Sequence, residues 1–73
     1  MENIINLLTQ KGFTVNKKRT LHDSGSSFYQ LEKDGVIYPK SRGNKADIGQ
    51  DTITTCYEKF GLTGVLNLFD ADE

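Results

Sequence analysis

The first part of the chain changes from helical to strand-like spacing of its hydrophobic residues. Hydrophobic side chains first recur at i, i+3 and i+4, at Ile4, Leu7 and Leu8. This spacing predicts an amphipathic helix over residues 2–11, and Gly12 supplies a C-terminal stop. From residue 13 apolar and polar residues alternate, so we expect a strand over residues 13–21 whose basic middle faces water.

Two further strands are expected before residue 40. Turn-forming residues occupy positions 22–26, and the next run has apolar side chains on both faces, which is typical of a central strand: Phe28, Tyr29 and Leu31. Asp34-Gly35 suits a type I′ turn, because both central residues of that turn need a positive φ. A third strand over residues 36–38 is then ended by Pro39.

The last part of the chain is predicted to be helical. Residues 40–50 have no sustained period and are expected to form an exposed connection. Asp51 is placed to cap a helix over residues 51–60, in which the apolar residues fall at i, i+3, i+4 and i+7: Ile53, Cys56, Tyr57 and Phe60. Gly61 ends this helix, and residues 62–69 are expected to form a short final helix with Thr63 as its N-cap.

These elements predict a single α+β domain spanning residues 1–73. The order is α-β-β-β-α(α), and short connections favour a three-stranded antiparallel sheet with the helices packed on one face in a two-layer sandwich. The other face would be exposed. The expected core consists of Ile4, Leu7, Leu8, Phe13, Val15, one of Phe28 or Tyr29, Leu31, Ile37, Ile53, Cys56, Tyr57, Phe60 and Leu66.

Composition supports a small folded domain with an uneven charge distribution. Hydrophobic residues make up 36% and charged residues 26% of the 73 positions, which suits a globule with a thin core. Residues 1–50 carry eight Lys or Arg against five acids, a charge of +3, whereas residues 51–73 carry −4. The total of −1 argues against strong nonspecific binding to nucleic acid, although the basic part can still meet phosphate.

Several classes of function have little support in the sequence. No apolar run approaches about 18 residues and no secretion signal is visible, so we expect a cytoplasmic protein. A single cysteine, Cys56, fits a reducing compartment and a buried position in the core. The glycines form no nucleotide-binding fingerprint, and Asp47 with Asp51 is too small a cluster to hold a metal ion. We therefore expect no cofactor and no metal.

The candidate chemistry is limited to one histidine and a set of basic and aromatic residues. His22 is a weak candidate for a general base, because a lone histidine in a turn is usually only solvated. Six basic residues offer donors that match phosphate oxygens: Lys17, Lys18, Arg19, Lys40, Arg42 and Lys45. They could equally be a solvated surface. Tyr29 and Tyr38 could stack on a base or anchor a partner if exposed, or else belong to the core.

The order and spacing of several segments resemble the HicA family of small toxins. The similar residues run from position 4 to about position 69: Ile4-Ile5-Asn6-Leu7-Leu8, Lys11-Gly12-Phe13, Gly25-Ser26, Asp34-Gly35 before Val36-Ile37, and Thr52 with Phe60-Gly61-Leu62-Thr63. The resemblance implies a fold like that of double-stranded-RNA-binding domains. It also implies an mRNA-cleaving toxin that a partner antitoxin neutralises.

The chain departs from that family at the catalytic position. The family's catalytic histidine follows a Gly-Ser pair, and the matching residue here is Ser27, which cannot transfer protons as an imidazole does at neutral pH. Either His22 replaces it or the fold lacks the cleavage activity, and we favour the second. Residues 50–52 also lack the lysines that open the second helix of double-stranded-RNA-binding domains. The leading hypothesis is a noncatalytic module that binds RNA or a nucleic-acid-processing partner.

A second hypothesis belongs to a different class. Small phage-encoded inhibitors, including some anti-CRISPR proteins, are single α+β domains of this size that block a host nuclease by direct binding. The acidic end at residues 70–73 and the small amount of candidate chemistry suit such an inhibitor. The protein would act as a monomer or a homodimer under either hypothesis.

Overall fold

The computed structural model describes residues 2–20, 26–42 and 46–71 of the chain. Its elements are α1 (Glu2–Gln10), β1 (Thr14–Thr20), β2 (Ser27–Lys33), β3 (Val36–Tyr38), β4 (Ile48–Gly49) and α2 (Gln50–Leu68), with a 3₁₀ turn at Lys40–Arg42. The predicted α+β arrangement is confirmed. The structure adds one short strand, β4, to the three that the sequence predicts.

β2 is the central strand, as predicted. β1 pairs antiparallel along one of its edges, and β3 and β4 share the other edge end to end. β4 lies opposite Phe28 and Tyr29, while β3 lies opposite residues 31–33. The tight turn between β2 and β3 has a φ of 53° at Asp34 and 80° at Gly35, so both central residues have the positive φ expected there.

The described parts of the connection, residues 40–42 and 46–50, contain more regular structure than the sequence predicts. They contain the 3₁₀ turn and β4, and Ile48 of β4 is buried in the core. Two residues are too few to show a periodicity, so β4 leaves no pattern in the sequence. Its hydrogen bonds go to the first half of β2, which means that pairing across the sheet defines it as a strand.

Both helices pack on the same face of the sheet and share one core. Cross-strand partners point to the same face, and side chains along a strand alternate. Leu31 of β2 and Ile48 of β4 therefore lie on the helix side, where they join buried residues of both helices. Phe28 and Gln30 point to the opposite face, which we call the outer face. The buried core consists of Ile4, Leu8, Phe13, Leu31, Ile48, Ile53, Val65, Leu66, Phe69 and Ala71.

α2 is broken at Gly61, where the sequence predicts the end of a helix. Gly61 has φ 73° and ψ −165°, so α2 consists of two segments with a turn between them. The second segment supplies Val65 and Leu66 to the core, and Phe69 follows it. Ile53 of the first segment is buried beside them, and Cys56 and Tyr57 pack against the same cluster.

The predicted core is wrong at the end of the first segment of α2. Phe60 is 69% exposed instead of buried, whereas Val65, Leu66 and Phe69, which follow the break at Gly61, are buried. Ile37 is also outside the core cluster: it pairs with Glu32 and lies on the outer face. Leu7 is only half-buried. The other predicted residues either belong to the core or pack against it, with Tyr29 in contact and Phe28 on the outer face.

Candidate nucleic-acid interface

A β-bulge divides the basic run of β1 between the two faces of the sheet. Lys17 pairs with Tyr29 and Arg19 pairs with Phe28, so Lys18 is the extra residue. Because partners share a face, Lys17 lies on the helix side and Arg19 on the outer face. Without the bulge, alternation along the strand would place Lys17 and Arg19 on the same face. The bulge therefore brings Arg19 over the one aromatic ring of β2 that points outward.

The Arg19 guanidinium stacks on Phe28 and binds Asp47. Its Cζ atom lies 4.1 Å from the centroid of the Phe28 ring. Nε donates to Asp47 Oδ2 at 3.0 Å and Nη2 donates to Oδ1 at 3.3 Å, a bidentate pair. The Arg19 side chain remains 56% exposed, against 13% for Asp47. We call this group the Arg19–Phe28 stack.

Gly49 of β4 lets the Phe28 ring lie close to the backbone. A Cβ atom at Gly49 would be 3.2 Å from Phe28 Cε2, a distance that would displace the ring. The ring is therefore held between the Gly49 backbone and the Arg19 guanidinium. Strands β1, β2 and β4 each contribute one residue to this arrangement, so it forms only when the three strands are paired.

Gln30 helps to position Asp47 beside the stack. Its side chain is 2% exposed, and Nε2 donates to the Ala46 carbonyl oxygen at 2.7 Å. A buried amide needs such a partner, because an unsatisfied polar group in the interior is costly. The bond attaches the segment that precedes β4 to β2, and Asp47 is the next residue. The sequence offers no signal for Gln30 beyond a polar residue in a central strand.

The structure separates the six predicted basic residues into two groups. Lys17 and Lys18 lie on the edge strand β1, next to Arg19, and all three residues are exposed. Lys40 and Arg42 belong to the 3₁₀ turn after β3, which lies on the other side of β2. Lys45 and His22 lie outside the described residues. The described part of the predicted surface therefore consists of three neighbouring residues of β1, divided between the two faces, and of two residues across the sheet.

Tyr29 and Tyr38 belong to the core side of the sheet, which is the second of the two placements that the sequence leaves open. Both pack against the core on the helix side, and the Tyr38 ring meets Phe13 edge to face with centroids 6.0 Å apart. The aromatic side chain of the outer face is Phe28, for which the sequence predicts only a place in the core as the alternative to Tyr29. Counting alternation from Leu31 would have placed it outward.

Ser27, at the position that matches the family's catalytic histidine, has no catalytic partner in the described residues. It is 8% exposed, and its Oγ lies 3.5 Å from Thr20 Oγ1. Two neutral hydroxyls provide neither a base nor an acid at neutral pH. Cys56 is half-buried and packs against the core cluster, whereas the sequence predicts a buried position within it.

The part of the chain that the structure describes has neither a cluster of metal ligands nor a helix able to cross a membrane. It contains no group of three or more His, Cys, Asp or Glu side chains placed to hold a metal ion. Neither α1 nor α2 combines the length and the hydropathy that a bilayer crossing requires.

Comparison with protein-family models, with curated proteins and with solved structures gives no match. The resemblance to HicA toxins therefore depends on the residues quoted from the sequence.

Proposed function

We propose that this protein is a noncatalytic module that binds unpaired RNA along β1 and the outer face of the sheet. The observation that supports this most directly is the Arg19–Phe28 stack, an exposed guanidinium held over an aromatic ring. RNA-binding proteins receive splayed bases on aromatic rings and on guanidinium planes of this kind. The stack would accept one base on the solvent side of Arg19.

The lysines beside the stack would supply the electrostatic part of binding. Both lie on the edge strand β1: Lys18 is the bulge residue next to Arg19, and the long side chain of Lys17, on the helix side, would meet phosphates at the rim of the sheet. Asp47 neutralises part of the Arg19 charge, and the net charge of the chain is −1. We therefore expect moderate, salt-sensitive affinity with little sequence preference.

Unpaired RNA fits this surface better than duplex RNA. A base can stack on Arg19 only if it has left a helix, whereas duplex-binding domains contact the backbone across successive grooves. Residues Gln50, Asp51 and Thr52 at the start of α2 offer no lysine for such backbone contacts. We expect a single strand to compete better than a duplex of equal length for this site.

The first test is the loss of RNA binding on charge reversal in β1. At about 50 mM salt, a labelled single-stranded RNA of about twelve nucleotides should bind with micromolar affinity in fluorescence anisotropy. Lys17→Glu combined with Lys18→Glu should weaken binding at least about tenfold, because each lysine releases counterions from phosphate. Absence of wild-type binding at this salt concentration would refute the proposal.

Two further variants separate the stack from general electrostatics. Arg19→Lys keeps the charge but lacks the planar group, so it should still weaken binding. Lys40→Glu, across β2, is the matched control for a single charge reversal and should change affinity less than Lys18→Glu. Equal losses for Lys40→Glu and Lys18→Glu would mean that no local site exists on β1.

The two alternative functions predict different observations. Because Ser27 replaces the imidazole, expression in a bacterial host should not arrest growth, as measured by colony counts after induction. Growth arrest that His22→Ala abolishes would instead support the toxin activity implied by the resemblance. An equimolar complex with a nuclease, formed without RNA, would favour the inhibitor hypothesis.

A further inference from the structure

The solvent side of the first segment of α2 carries an open groove and an exposed aromatic side chain. The groove has a volume of about 420 Å³ and is lined by Asp51, Thr52, Thr55, Cys56, Lys59 and Phe60. Phe60 is the large hydrophobic residue that remains exposed among the described residues, at 69%. The groove belongs to α2, whereas the surface proposed to bind RNA belongs to β1 and the outer face of the sheet.

The backbone of the second segment of α2 fixes the position of Phe60. A Cβ atom at Gly64 would overlap the Phe60 Cβ and lie 3.4 Å from Cys56 Sγ. Gly64 therefore packs directly against the base of the Phe60 side chain. The break at Gly61 makes this close approach possible by changing the direction of the helix. An exposed aromatic side chain whose base is packed in this way can serve as an anchor for a partner surface.

The residues along the groove form two parallel rows. Asp51, Thr55 and Lys59 are spaced at i, i+4 and i+8, and so are Thr52, Cys56 and Phe60 one position later. The first row has an acid at its start and a base at its end, with a small residue between them. Small residues at the middle of both rows allow another helix to approach to about 8–10 Å.

We propose that this face binds the same face of a second copy of the chain in an antiparallel, two-fold arrangement. An axis passing near Thr55 and Cys56 places Asp51 of each copy opposite Lys59 of the other. The same operation places each Phe60 ring over Thr52 of the opposite copy. Parallel pairing would place like charges together, so the charge order specifies the antiparallel form.

The interface is small, so the dimer is weak and depends on protein concentration. It consists of two symmetry-related ion pairs and two aromatic anchors, less than most stable dimers bury. Sedimentation velocity on the full chain should show a monomer at low micromolar concentration and a growing dimer fraction toward hundreds of micromolar. A monomer throughout this range overturns the proposal.

Charge reversal tests the register of the two helices. Lys59→Glu should raise the dimer dissociation constant by about tenfold or more, since the new carboxylate of each copy then faces Asp51 of the other. Adding Asp51→Lys to Lys59→Glu restores opposite charges, and the dimer should return. A double variant as weak as Lys59→Glu alone overturns the antiparallel register. Lys40→Glu is the matched control outside the groove and should leave the dimer unchanged.

Cross-linking supplies a readout of geometry that does not depend on charge. The chain has one cysteine, and the proposed axis brings the two Cys56 side chains near each other. A short bismaleimide should therefore yield covalent dimer at concentrations where the wild type associates, and much less with Lys59→Glu. Covalent dimer of equal yield in both proteins would contradict the proposed interface. Circular dichroism should show that each variant keeps the wild-type fold.

Discussion

Phe69→Ala is expected to lower the free energy of unfolding by about 3–5 kcal/mol. The Phe69 side chain is 0% exposed, one of the largest fully buried side chains among the described residues. Its removal would leave a cavity in the core that the helices and the sheet share. A domain of this size has a total stability of roughly 4–11 kcal/mol, so the variant should be barely folded. Urea unfolding followed by circular dichroism measures the change.

Phe60→Ala is the matched control for this substitution. It changes the same residue type in the same helical region, but Phe60 is 69% exposed. We expect a loss below about 1 kcal/mol, because folding removes little of this side chain's surface from water. The measurement belongs at low micromolar protein concentration, where the proposed dimer is dissociated. The helical stripe read from the sequence places Phe60 in the core and would predict a large loss for Phe60→Ala as well. A larger loss for Phe60→Ala than for Phe69→Ala would contradict the placement of both rings.

Gly61→Asn is the second substitution with a large expected effect. Gly61 combines φ 73° with ψ −165°, a region that is almost restricted to glycine. Asparagine tolerates ordinary left-handed backbone but not this combination, so we expect a loss of roughly 1–3 kcal/mol from the backbone alone. The new residue also favours a continuous helix, which would withdraw Val65 and Leu66 from the core. Thermal unfolding and the helical circular dichroism signal measure both consequences.

Gly35→Asn is the control, because Gly35 differs from Gly61 in its backbone conformation but not in the free space around it. Gly35 also has a positive φ, 80°, and a Cβ atom at either glycine would meet nothing within 4 Å. In the turn between β2 and β3, asparagine is a common residue, so a loss below about 1 kcal/mol is expected. Similar losses at both positions would show that the break in α2 does not depend on the unusual ψ of Gly61.

Local patterns were sufficient to predict most of the elements. The helical spacing near Ile4, the Asp34-Gly35 turn and the stop at Gly61 are each determined by residues within a few positions of one another. The structure confirms all three, together with the antiparallel sheet that short connections require. The charge asymmetry and the basic run in β1 could also be read from the sequence.

The composition of the candidate site could not be predicted in the same way. Arg19 and Asp47 are 28 positions apart and form an ion pair only because β1 and β4 flank the same strand. The bulge after Lys17 decides which basic side chain points outward, and nothing in the run of two lysines and an arginine marks its place. Phe28 and Tyr29 are adjacent residues of similar size, and alternation from the buried Leu31 was the one signal for which of them points to the outer face.

The sequence by itself determined the order of helices and strands, the turn between β2 and β3 and the glycine break in α2, because these follow from interactions between near neighbours. Only the tertiary structure decided that Ile48 is buried, that Phe60 is exposed and that Arg19 stacks on Phe28. Those outcomes depend on strand register and on competition for limited core space, which involve residues far apart in the chain.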